Sequence, residues 1–184
     1  EFRNGSIYLE GPSSRIRDAR GVAGNNALGT LRQISAPASL ILQNHSLTVA
    51  SNLQNNGRIY LGNGASLTIP GNLTGTGTVQ HVSGAPTTLR VNGALQQVGS
   101  VLEVSSSFDV EALGGLEFTN STVRGNGKLK GNVSAAGTTF EGENGDRIEI
   151  TGNVSNSSGC LNSQRTRTGV VDSFTLKAQD HLYS

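Results

Sequence analysis

A short phrase returns along this chain at intervals of 19 to 22 residues: LTVASNL from Leu47, LTIPGNL from Leu67, LRVNGAL from Leu89, FDVEALG from Phe108, GKLKGNV from Gly127 and IEITGNV from Ile148. Its first and third positions are usually apolar and its second polar, which is the alternation of a strand with one buried face. A unit of about 20 residues cannot bury an apolar face by itself, so successive copies must stack, each strand pairing in parallel with its equivalent about 4.8 Å further along. The expectation is an all-β fold, a right-handed parallel β-helix (β-solenoid) with rungs of about 20 residues. Leu67, Ile69, Leu73, Leu89, Val91, Leu129, Val133, Ile148 and Ile150 should then lie inside one continuous coil.

A second strand follows each copy, opened by glycine: GRIYLG from Gly57, GTVQHV from Gly77, GSVLEV from Gly99, GLEFTN from Gly115 and GTTFEG from Gly137. Glycine there supplies a positive φ or a tight bend. In the Gly77 copy strict alternation would bury His81, and a bulge that turns Val82 inward instead is expected. A third, poorer segment completes each rung. Asn72, Asn132 and Asn153 take equivalent places at a corner, where a stack of asparagines bonding one to the next is expected, interrupted at Ala94 and Leu113.

The whole chain, residues 1–184, reads as one solenoid domain or a piece of a longer array. Residues 157–184 read as a capping segment or as the place where such an array was cut. GSIYLEG near the start and GTLRQI from Gly29 read as early rungs. Glycine is abundant and Asn, Ser and Thr recur, favouring turns and strands over helices. A net charge of +1 names neither nucleic acid nor an anionic membrane as a partner. No apolar run is long enough to span a bilayer, so no integral membrane segment is expected, and no signal peptide is expected in this stretch. The lone Cys160 reads as a small buried residue rather than a reactive thiol.

NNGRIYLGNGASLTI (Asn55 to Ile69), GNLTGTGTV (Gly71 to Val79) and GNGKLKGNVSAAGTTF (Gly125 to Phe140) resemble the β-helical passenger domains of bacterial autotransporters and related large surface adhesins, over roughly Gly29 to Ser155. The resemblance implies a secreted or surface-exposed module, adhesive or stalk-like, of a Gram-negative-type bacterium.

Solenoids of this kind also carry polysaccharide lyases and glycoside hydrolases, and tailspike-like enzymes, which need clustered carboxylates with cations or Ca²⁺ on one face. The 13 acidic residues are scattered. Glu103 and Glu117 could meet on one outward face of adjacent rungs, although like charges stacked in register repel. GENGDR from Gly142 reads as a plain turn, because it lacks the repeated nonapeptide of calcium-binding β-rolls. His45, His81 and His181 stand apart from any metal-ligand or nucleophile spacing, so no catalytic set, metal site or cofactor is expected. Seven Asn-X-Ser/Thr sequons, including Asn72, Asn132 and Asn153, follow from the composition. An ice-binding face would need a regular Thr-X-Thr array, and Thr68, Thr78, Thr88 and Thr138 form none. The function expected is therefore a non-enzymatic adhesin or stalk that binds host or environmental glycan or protein. Its candidate contacts are Arg58, Tyr60, Gln80, Glu103 and Glu117 on the second strands, with Arg15 and Arg17 near the start.

Overall fold

The structure, a computed structural model, describes residues 1–16, 27–82, 84–141 and 148–158, together with the strands Asn162–Ser163 and Thr175–Lys177. Arg17, the GENGDR turn, Cys160, His181 and most of the expected capping segment lie outside the described residues.

The chain forms a β-solenoid of about six turns, with about 21 residues per turn. Among the described residues, three parallel sheets of eight, seven and seven strands make its walls. The first sheet runs through Ser6–Glu10, Ser39–Gln43, Arg58–Gly62, Thr78–His81, Val101–Val104, Thr122–Gly125, Thr139–Glu141 and Asn162–Ser163. The second holds the repeated phrase: Ser46–Thr48, Ser66–Ile69, Thr87–Val91, Phe108–Ala112, Gly127–Lys130, Ile148–Thr151 and Thr175–Lys177. The third is built from Gln33–Ile34, Leu53–Asn55, Leu73–Gly75, Leu95–Val98, Leu116–Thr119, Val133–Ala136 and Val154–Ser158. Where a poorer segment was expected, it is a full wall of the coil, with one register shift at Ala135/Ala136 against Val154–Ser158. Among the described residues no helix is long and apolar enough to cross a membrane.

Each sheet sends columns of apolar side chains inward. Leu47, Leu67, Leu89, Val110, Leu129 and Ile150 stand in register in the second sheet. Ile7, Leu40, Ile59, Val79, Leu102, Val123 and Phe140 do so in the first. In the third the column is Leu53, Leu73, Leu95, Leu116, Val133 and Val154. All nine residues expected inside are buried. Each side chain of this size contributes roughly 1.5–3 kcal/mol on burial, so the stacked columns hold the rungs together. Phe118 and Phe140, from the third and first sheets, meet edge to face with centroids 6.2 Å apart.

Two expectations about register are corrected. Leu89 pairs with Val110, and Phe108 with Thr87, so the repeat is offset by two residues from the alignment on Phe108. An even offset leaves the inward and outward faces unchanged. Val82 does not replace His81: Val82 is exposed, and His81 continues the inward column of Leu9, Leu42 and Leu61. No bulge is needed, because Ser105 holds the His81 Nδ1 in a 2.7 Å hydrogen bond and the ring stacks on Phe108 at 5.8 Å.

The glycines opening the first-sheet strands act in two ways. At Gly77 a Cβ would press into the Gly57 carbonyl oxygen of the turn below, so close approach of backbones requires glycine. Gly99 has open space around it but a φ of +58°, so there conformation decides. At the beginning of the coil, the 3₁₀ turn Ala27–Thr30 buries Leu28, and Leu31 is buried just after it. Phe2 adds a bridge to Ile34, extending the third sheet by one residue.

Candidate functional site

Because strands alternate, each sheet also presents outward columns. On the first sheet the central column reads Tyr8, Ile41, Tyr60, Gln80, Glu103, Arg124 and Glu141. Arg58 is exposed in the neighbouring column, between Ser39 and Thr78. Four of the expected contact residues, Arg58, Tyr60, Gln80 and Glu103, therefore share one face. The spacing from rung to rung is about 4.8 Å. Tyr8, 53% exposed, and Arg124 belong to this face as well. The sequence signal for Tyr8 was the likeness of GSIYLEG to GRIYLGN.

Glu117 is elsewhere. It points outward from the third sheet, in the column Gln54, Thr74, Gln96, Glu117, Ser134 and Ser155. The expected meeting of Glu103 and Glu117 on one face does not occur, because the two glutamates stand on different sheets. Each engages a residue of a neighbouring turn: Glu103 pairs with the Arg124 guanidinium, and Glu117 Oε2 accepts from Gln96 Nε2 at 2.8 Å. Arg15, also exposed, donates from Nε to the Ser13 carbonyl at 3.5 Å.

The second sheet carries charges in rows. Arg90 is followed one turn on by Asp109 and Glu111, then by Lys128 and Lys130, then by Glu149. Each rung is of one sign and its neighbours are of the other. Arg90 pairs with Glu111 at 3.3 Å, and Lys130 with Asp109 at 2.7 Å.

At the corner between the second and third sheets a ladder of asparagines is present, with different bonding from the expected amide-to-amide stack. The Asn52 Oδ1 accepts the backbone N–H of Asn72 at 2.9 Å, and the Asn72 Oδ1 accepts that of Ala94 at 2.9 Å. Further along, the Asn132 Oδ1 accepts the N–H of Asn153 at 3.1 Å. Strand register places Gly115, rather than Leu113, between Ala94 and Asn132 in this column. Ala94 and Gly115 interrupt the asparagines, and at Gly115 a recess of about 270 Å³ opens against the third sheet. Gly115, Glu117, Asn132, Ser134, Asn153 and Ser155 are among its lining. Strand alternation in Asn132-Val133-Ser134 and Asn153-Val154-Ser155 already puts amide and hydroxyl on one side, and the missing clue was that Glu117 belongs to the same sheet.

Both described histidines face inward. His45 is 4% exposed, with Nδ1 2.9 Å from the Gly11 carbonyl. Burial lowers the His81 pKa below that of an ordinary histidine, and its Nε2 is buried with no hydrogen-bond partner. Among the described residues no three His, Cys, Asp or Glu side chains group to hold a metal ion.

The fold and its outward faces define a parallel β-solenoid repeat protein. Compared with protein-family models, with curated proteins and with solved structures, the chain matches none.

Proposed function

We propose that this solenoid is a non-enzymatic module of a cell-surface or secreted adhesin or stalk, of the kind the passenger domains of bacterial autotransporters and large surface adhesins provide. It binds host or environmental glycan or protein through outward side chains, outside a Gram-negative-type cell. The observation that carries the reading is the placement of Glu103 and Glu117. The two carboxylates best suited to acid–base work on a polysaccharide stand on different sheets, and each already engages a side chain on a neighbouring turn. What the outward faces offer instead is repetition: Arg58, Tyr60 and Gln80 extend over successive rungs as shallow polar contacts. Such contacts are individually weak and gain strength by multiplicity along a longer array or on a crowded surface.

The test is a binding screen of the whole chain, displayed in many copies on a bead, against a glycan array and a panel of extracellular-matrix proteins. The reading expects retention on at least one class, reduced by Arg58→Ala together with Tyr60→Ala. Retention on neither class would overturn it.

A further inference from the structure

The break in the asparagine ladder makes a hydrogen-bonding site. In this corner column the backbone N–H groups of Asn72, Ala94 and Asn153 each receive a side-chain oxygen from the asparagine one turn before. The residue one turn before Asn132 is Gly115, which has no side chain. No oxygen of that kind reaches the Asn132 N–H, and Asn132 lines the recess at that point. Two turns contribute hydroxyls, Ser134 and Ser155, and a third contributes Glu117. Gln96 donates to Oε2 of the exposed Glu117 carboxylate, which leaves Oε1 as an acceptor.

We propose that this recess binds one neutral hexopyranose ring, such as the terminal residue of a glycan. The inference rests on the adhesin reading above and gives it a subsite. Glu117 accepts hydrogen bonds from ring hydroxyls, as carboxylates do more strongly than neutral acceptors. The Asn132 N–H and the Ser134 hydroxyl donate to the remaining oxygens, and Ser155 Oγ, whose own proton goes to the Val133 carbonyl, accepts from them. An anionic sugar is disfavoured, because its charge would lie against Glu117. The volume lies just below the roughly 300–1,000 Å³ of pockets for drug-sized molecules, which suits a single ring better than an oligosaccharide.

The experiment uses the full chain labelled with ¹⁵N and the methyl glycosides of glucose, galactose, mannose and glucuronic acid as probes. Saturation-transfer NMR should report binding of at least one neutral glycoside, and titration should move the Asn132 amide resonance. Glu117→Gln should weaken that binding by about tenfold or more, as loss of a charged hydrogen bond does. Ser134→Leu should abolish it while the melting temperature shows the coil intact. If no neutral glycoside binds, the subsite is wrong, while retention on matrix proteins would still uphold the adhesin reading. Binding that leaves the Asn132 resonance and the Glu117→Gln affinity unchanged places the sugar elsewhere and overturns the inference. Equal or tighter binding of the glucuronide overturns the assignment of a neutral ligand.

Discussion

Lys130 Nζ lies 2.7 Å from Asp109 Oδ2, a diagonal contact between consecutive turns of the second sheet. It belongs to the alternation of Arg90, then Asp109 and Glu111, then Lys128 and Lys130, then Glu149, in which a slip of one whole rung would set like charges against each other. Both partners are about two-fifths exposed, so solvent screens the pair and its own contribution is small, about 0–1 kcal/mol. Reversing the whole rung with Lys128→Glu and Lys130→Glu should cost more, on the order of 1–2 kcal/mol, by adding repulsion from both sides. Urea unfolding at low and high salt checks this. The loss should shrink as salt rises, and a loss independent of salt would show that packing, not charge, is responsible.

Ile69 is fully buried and stands in register with Val91 of the next turn of its sheet. Ile69→Asp places an unpaired charge in that interior and should cost at least several kcal/mol. Because each rung rests on its neighbours, the damage spreads along the coil. Circular-dichroism melting should show a large drop or no folded baseline, and an unchanged melt would put Ile69 outside the core.

Gly77 and Gly99 should respond differently to substitution. Gly77→Ala drives a Cβ into backbone of the turn below, where nothing flexible can yield, and should cost roughly 3 kcal/mol or more, as overpacking does at its upper end. Gly99→Ala meets no atom and pays only for its left-handed backbone, about 1–2 kcal/mol. Gly99→Asn should be milder still, since asparagine tolerates that conformation. Chemical denaturation of the three variants should rank them in that order.

His81 gives the fold a dependence on pH. Its pKa is lowered by burial, so the unfolded chain binds a proton more readily than the folded one. The neutral ring's contribution is present above the ordinary histidine pKa, near 6.5, and is lost as the pH falls below that value toward the lowered one. His81→Leu matches the Leu42 and Leu61 of its column and removes a buried, unpartnered Nε2. The variant should melt at or above the wild-type temperature at neutral pH, and the difference should widen toward pH 5. Parallel melting curves across that range would contradict the assignment.

Asn72 tests the ladder. Asn72→Ala removes the acceptor of the Ala94 N–H and should cost about 0.5–1.5 kcal/mol. Hydrogen exchange at the Ala94 amide should accelerate as well, whereas unchanged exchange would mean that the bond does not protect it.

Much of this architecture was legible because parity survives errors of alignment. The second-sheet strands announce themselves through LTI, LRV and IEI, and placing Phe108 two residues out of register against Leu89 still put every inward side chain inside. What parity cannot reveal is which sheet a strand joins. GLEFTN opens with glycine and alternates as GRIYLG does, yet Leu116–Thr119 belongs to the third sheet and Arg58–Gly62 to the first. Alternation alone therefore groups Glu117 with Glu103, whereas the fold puts them on different sheets. The third sheet itself was hard to see because its inward column includes Asn55, Gly75 and Gln97, which break the apolar rhythm. His81 was obscured for the opposite reason: its pattern demanded burial, and its polar ring argued against it until Ser105 and Phe108 supplied partners.

The most direct test of the account is turnover. The protein, incubated with neutral and acidic polysaccharides, is assayed for new reducing ends and for unsaturated products. A module that binds without cleaving should release neither, while retaining the glycans or proteins it recognises. Product released by the wild type and abolished by Glu103→Gln or Glu117→Gln would contradict the account and make the solenoid a polysaccharide-degrading enzyme.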